Sequence, residues 1–441
     1  MNKKVNMFLF LLLIIGLIAG CSSPSGKKEV GTDGVSSDDK VELRMTWWGS
    51  QDRHDRTLKV IKLYEEKNPN VKISSEFTGW DGYWEKIATQ AAGQNLPDII
   101  QMDYKFLSDY SDKGLLIDLN AYVESGALSL DDVDPQYLDG GKIDGKLFAI
   151  NIGANAHAVL IDPAMFKEAE IPIPDPGYTW DDLQVIGKKL SNKLGDGVYG
   201  LHPSAGIMAF KHYLREHNTW LFNDDGTDLG YEDDQLLVDF LKMQADMLKS
   251  EAAAPPEVFK SAGSNIEQMP IITGKTAMLM DVHSNQIVAM EEAAGRPLQL
   301  ILQPMLEGGE LGHYIKPGQF LSVSSHSKNV EEAAKFIDFF TNDIEANRLL
   351  NAERGVPISE KVREDLRANL TESGEKMFDY LDLVAEYARE INPPDPIGAT
   401  EIEDYFSTEI EDPIYYKKST PEDLAKAFRD KATEILSKNK K

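Results

Sequence analysis

Four of the six tryptophans, Trp47, Trp48, Trp80 and Trp84, lie within 38 positions of one another near the start of the chain. Flat aromatic rings pack against the C–H faces of a pyranose, so such a cluster can floor a sugar site. The complement is a set of planar polar side chains that bond adjacent hydroxyls in pairs. Trp48 and Trp80 each follow a predicted strand and are expected to contact sugar, whereas Trp47 and Trp84 are expected in the core. Arg53 and His54 open a predicted helix, where a cation opposes the helix dipole. A charge set against local preference hints at a use, and Arg53 suits a bidentate contact with a uronate carboxylate. Asp103 follows the third predicted strand; it either accepts sugar hydroxyls or caps the next helix, and both readings stay open. Lys316 and Arg354 are further candidate cations for an acidic sugar. Trp220, in a loop-like stretch, is a further candidate platform.

Other chemistries find less support. The sequence contains no HExxH, GxSxG, P-loop or cysteine cluster, and its eight histidines lack metal-site spacing. His212 and His217, five apart, do not share a helical face. Paired carboxylates of the glycosidase kind carry little information among 73 acids. No cofactor and no metal are therefore expected, and the protein is read as a binding protein rather than an enzyme. The alternatives kept in view are a secreted glycosidase or lyase and a receptor for a non-sugar solute. A net charge of −27 disfavours nucleic acid and anionic lipid as partners.

These residues must be positioned by regular elements. Val41–Trp47 alternates as a half-buried strand, 52–68 has helical spacing ended by Asn68-Pro69-Asn70, and 71–77 is a second strand. A helix over 81–92 and a strand over 97–102 complete an alternation that predicts a right-handed, partly parallel α/β sheet. In such sheets ligands collect at the carboxyl ends of strands, here Trp47-Trp48-Gly49, Gly79-Trp80-Asp81 and Asp103-Tyr104. Asp144-Gly145 marks a hairpin within 141–150, and apolar strands are expected at 156–161, 272–280 and 320–323. Helices are expected at 180–190, 236–249 and 330–341, with a mostly helical last hundred residues interrupted by Asn392-Pro393-Pro394-Asp395-Pro396.

At the N-terminus, Lys3 and Lys4 precede an apolar run over 7–18 and then Ala19-Gly20-Cys21. The run is too short to span a bilayer, and the pattern is that of a secretory signal. Small residues before a lone cysteine form a lipobox, so 1–20 is expected to be a lipoprotein signal peptide with Cys21 lipidated. Residues 21–40, rich in Ser, Gly and Asp, read as a flexible tether.

Taken in order, Trp47-Trp48-Gly49, Tyr64-Glu65-Glu66-Lys67-Asn68-Pro69, Leu96-Pro97-Asp98-Ile99, Lys142-Ile143-Asp144-Gly145-Lys146-Leu147, Gly274-Lys275-Thr276-Ala277-Met278 and Ser327 to Ile337 carry a resemblance. From about residue 41 onward the chain resembles the family 1 extracellular solute-binding proteins of carbohydrate ABC importers. Trp48, Arg53, His54, Trp80 and Trp84 are most similar to members linked to rhamnogalacturonan or pectin oligosaccharides in Gram-positive bacteria. The resemblance implies a two-lobe, periplasmic-binding-protein-like α/β fold with a hinge and an interlobe cleft. By it, lobe one is 41–150 plus 297–342, and lobe two is 151–296 plus 343–441. It also implies that Asn151 and Asn155, at the first crossing, and His283 and Asn285, after the Gly-Lys-Thr-Ala-Met strand, contact the ligand. The tryptophan that relatives often carry near His283 is missing. The expected partners are an oligosaccharide and an ABC permease, with the protein a monomer anchored on the extracytoplasmic face of the cell membrane.

Overall fold

Thirteen strands are present among the described residues: β1 (Val41–Trp48), β2 (Val71–Thr78), β3 (Ile99–Met102), β4 (Lys142–Ile143), β5 (Lys146–Leu147), β6 (Ile150–Asn151), β7 (Ala154–Asn155), β8 (His157–Ile161), β9 (Tyr199–His202), β10 (Thr276–His283), β11 (Gln299–Ile301), β12 (Lys316–Pro317) and β13 (Phe320–Val323). The computed structural model describes residues 40–440 apart from 81, 204, 205, 261, 263 and 264. The expected signal peptide, Cys21 and nearly all of the expected tether lie outside the described residues, as does Asp81. Among the described residues no helix is long and apolar enough to cross a membrane.

The first sheet has the order β2-β1-β3-β13-β6. β1 pairs in parallel with β2 from Val41↔Val71 to Trp48↔Thr78, and with β3 at Met45↔Ile99. β13 runs antiparallel to both β3 and β6. The carboxyl ends of β1, β2, β3 and β6 and the start of β13 therefore share one edge. The two-residue period of β1 sends Leu43, Met45 and Trp47 to one core and Trp48 to another, beside Tyr83, Ile100 and Met102. Helix Gln51–Lys67 begins where Ser50 accepts from the Arg53 amide and ends at Asn68, which bonds back to the Tyr64 carbonyl.

The second sheet has the order β11-β8-β10-β9. β8 is antiparallel to β10 and β11, while β9 is parallel to β10. The expected strand at 272–280 is observed at Thr276–His283; it continues past a bulge at Asp281, whose φ of 58° is left-handed. One face of this sheet packs Val159, Ile161, Met278 and Met280 against Phe210, Phe240, Phe406 and Phe428. Its other face places Leu160, Leu279 and Leu300 against Phe378 and Leu381.

Three segments join the sheets and are bonded to one another. Gly318 N–H donates to the Gly153 carbonyl at 2.7 Å, and Ala154 and Val356 exchange both backbone bonds at 2.8 and 2.9 Å. Beyond them β7 pairs with β12 through Asn155↔Lys316. Helix Ile344–Leu350, expected with lobe two, packs instead on the helix over 51–67 of the first sheet. Polar contacts hold it there: Arg56 donates to the Leu349 carbonyl at 3.1 Å, and Lys67 pairs with Asp343 at 3.0 Å.

Candidate functional site

At the shared edge of the first sheet, Trp48 and Trp80 meet edge to face with ring centroids 5.1 Å apart. Tyr83 and Trp84 close around Trp48, and Trp84 lies 3.9 Å from Phe106. Trp48 is 7% exposed and Trp80 46%, so the open ring face belongs to Trp80. Parallel pairing sets Asp103 on the same edge, one position past β3. Its carboxylate accepts from the Lys105 amide at 3.0 Å and caps the helix Tyr104–Asp112. Burial lifts this carboxyl above its ordinary range, against the Lys105 amide and the charges of Lys316 and Lys105.

The second sheet brings His157 and His283 to the crossing, because β8 starts there and β10 ends there, with the two residues in register. Their rings stand 4.8 Å apart. His157 is 8% exposed, and neither ring nitrogen has a hydrogen-bond partner. Burial depresses both imidazoles, His283 to about 4, and the Lys316 ammonium reinforces the effect. Lys316 itself is held below the ordinary lysine range by burial, with Asp103 opposing. Among the described residues the Lys316 ammonium forms no ion pair or hydrogen bond. Beside it in the ladder, the buried Asn155 has a side-chain oxygen without a partner. Asp103, Asn155, His157, His283 and Lys316 thus form one polar group, in which the Asn155 side-chain oxygen and both His157 nitrogens are buried without a hydrogen-bond partner among the described residues.

Neighbouring cations are already engaged. Arg215 donates to the Gly312 and Glu390 carbonyls at 2.7 and 3.0 Å and lies 4.9 Å over the Tyr314 ring. Lys211 is held between Asp395 and Glu403 at 2.8 and 2.9 Å. Trp220 lies against both, 6.0 Å from Arg215 and 5.9 Å from Lys211. Further along β10, a cavity of about 290 Å³ is lined by His202, Phe259, Lys260, Glu411 and Tyr415. There Lys260 is paired with Asp412.

Several expected site residues stand elsewhere. Arg53 spans the Glu353 carboxylate with two 3.0 Å bonds, which answers the charge that the helix start disfavours. His54 is buried, accepts from the Trp47 indole at 3.1 Å and stacks on Phe77. Arg354 is buried, bonds Thr57 at 2.8 Å and covers the Phe340 ring. Asn151 is buried and ties the crossing loop through Gly153 N–H at 3.2 Å. Asn285 is exposed, one turn beyond His283. His157 was missed by sequence reasoning, because a single His heading an apolar strand carries no signal until its register against His283 is known. Among the described residues no group of three His, Cys, Asp or Glu is placed to hold a metal ion.

Two α/β lobes, each with its own sheet, three bonded crossings and a polar cluster between the sheet edges, define a periplasmic-binding-protein-like fold. The chain belongs to the bacterial extracellular solute-binding protein family, whose match covers residues 51–346. It is similar to the solved structure of an extracellular solute-binding protein family 1 from Alicyclobacillus acidocaldarius, with TM-score 0.81 and 30% identity over 91% of this chain and 100% of that one. A periplasmic oligogalacturonide binding protein from Yersinia enterocolitica matches with TM-score 0.77 and 27% identity, over 90% of this chain and all of that one. The multiple sugar-binding protein of Streptococcus mutans is 22% identical over 388 residues, 83% of this chain and 85% of that relative.

Proposed function

We propose that the protein captures a carboxylate-bearing, pectin-derived oligosaccharide between its lobes and delivers it to an ABC importer, without covalent chemistry. Lys316 carries this reading: among the described residues it is a half-buried ammonium without an ion pair, close to Asp103 and two imidazoles. Burial disfavours a charge that has no partner, so an ammonium drawn partly out of water and left unpaired suits an anion from outside. A uronate carboxylate meets Lys316, hydroxyls meet Asp103 and Asn155, and the sugar's C–H face lies on Trp80. Rhamnogalacturonan fragments fit the same chemistry. The sugar-binding and oligogalacturonide-binding names of the relatives support the ligand class. In this reading lipidated Cys21 and the tether over 21–40 hold a monomer at the cell surface, and the lobe built on the first sheet hinges on the lobe built on the second at the crossings.

A thermal-shift and calorimetric panel tests it. Digalacturonate at about a hundred times its Kd raises Tm by roughly 3 °C or more, and neutral disaccharides leave it unchanged. A response to neutral sugars alone keeps the receptor and removes the carboxylate. Turnover of the oligomer would instead mark an enzyme, and silence across the panel a receptor for another solute.

A further inference from the structure

We propose that His157 and His283 form a proton-linked seat for the uronate carboxylate, so that ligand binding charges one imidazole with a proton drawn from solvent. The proposal rests on the acidic-sugar reading above. Buried imidazole nitrogens are normally hydrogen-bonded. His157 is buried with both nitrogens unpartnered, although its backbone is fixed by the Tyr380 hydroxyl on its carbonyl at 2.6 Å. The pair is built by strand register, His157 opening β8 and His283 ending β10 directly opposite.

The charges nearest the pair are cationic; the Asp103 carboxylate stands on the Lys316 side of the cluster, and Asp281, two positions before His283 on β10, accepts from Gln303 at 2.6 Å. Lys316 reaches both rings from β12, His212 and Lys211 reach His157 from the helix over 207–216, and the Tyr314 ring lies 6.0 Å from His157. Burial and these cations hold both imidazoles neutral at pH 7 while the seat is empty. A sugar carboxylate reverses the local field, and one imidazole then binds a proton at a ring nitrogen and donates it in a hydrogen bond to the carboxylate; no bond is broken. The imidazole pKa in the complex is raised above its value in the free protein. Affinity is therefore greatest at low pH and declines as pH rises through the pKa of the complex. Uronates ionise near pH 3.5, so the ligand stays anionic from pH 5.5 to 7.5.

Calorimetry with digalacturonate at pH 6.5, in two buffers of different ionisation enthalpy, counts the proton. About half to one proton is taken up per site, and affinity rises toward the tenfold-per-pH-unit limit as pH falls from 7.5 to 5.5. His157→Gln weakens digalacturonate binding at pH 5.5 and flattens the pH profile. His283→Gln, on a less buried residue, repeats the test should His157→Gln fail to fold. Tight binding of digalacturonate with no proton uptake and a flat profile would overturn the proposal and leave the acidic-sugar reading standing. Uptake that persists in the double variant would assign the proton to another group, such as the Asp103 carboxylate, and overturn the imidazole seat. Absence of digalacturonate binding altogether would overturn both.

Discussion

Trp48 and Trp80 touch, yet they do different things. Trp48 is enclosed by Tyr83, Trp84 and Trp80, so its ring is core and holds its neighbour's orientation. Trp80 keeps an open face at the sheet edge. Trp80→Ala is expected to weaken digalacturonate binding by about 1–3 kcal/mol, read by calorimetry, with little loss of Tm. Trp48→Ala is expected to lower stability by about 3–5 kcal/mol in a denaturant titration. Equal effects of the two changes on binding and stability would contradict this division. Arg53 shows where residue-level reasoning stopped short. Its position at a helix start was legible as unusual, but the explanation is Glu353, a residue 300 positions away that only folding brings near.

The elements decide whether the site exists at all. Lys316 and Asn155 are neighbours because β12 and β7 pair across the crossing, where three backbones pass within hydrogen-bond distance. Glycines make that approach possible. A Cβ on Gly153 would stand 2.4 Å from the Arg354 carbonyl oxygen, and one on Gly318 would stand 2.6 Å from the same atom. Gly355 also holds a φ of 116°, which side-chain-bearing residues avoid. Gly153→Ala is therefore expected to destabilise the protein by about 1–3 kcal/mol in urea unfolding. Ligand affinity falls with it, because the Asn155–Lys316 ladder shifts. Gly79→Ala, where an added Cβ meets nothing within 4 Å, serves as the neutral control. An unchanged midpoint for Gly153→Ala would show that the crossings have slack.

At the scale of the molecule, side-chain contacts also link segments of the two lobes outside the crossings. The Tyr104 hydroxyl, on the helix after β3, donates to the Asn392 carbonyl, and Lys105 bonds Thr400. Asn392 belongs to the proline-rich interruption, which also accepts from Arg215. A segment that reads as a helix breaker thus carries a contact between the lobes. On the proposed hinge, Tyr104→Phe removes one hydrogen bond from the closed form only. Affinity is expected to fall roughly fivefold, for about 1 kcal/mol, and X-ray scattering of the liganded variant to show a larger radius of gyration. An unaltered affinity would mean that the bond adds nothing to closure.

Periodicity was enough to place β1, β2 and β3, the helices between them and the Asp144-Gly145 hairpin, because a two- or 3.6-residue repeat is a local property. Ordered motifs were enough for the family and for the pair of lobes. The tertiary structure alone separated Asp103, Asn155, His283 and Lys316, which it gathers, from Arg53 and His54, which it pairs internally, and Arg354, which it buries against Thr57 and Phe340. It also moved the helix over 344–350 to the first sheet and brought forward His157. The reason is physical: whether a polar side chain is free for a ligand depends on its burial and its partners, and those come from segments hundreds of residues away.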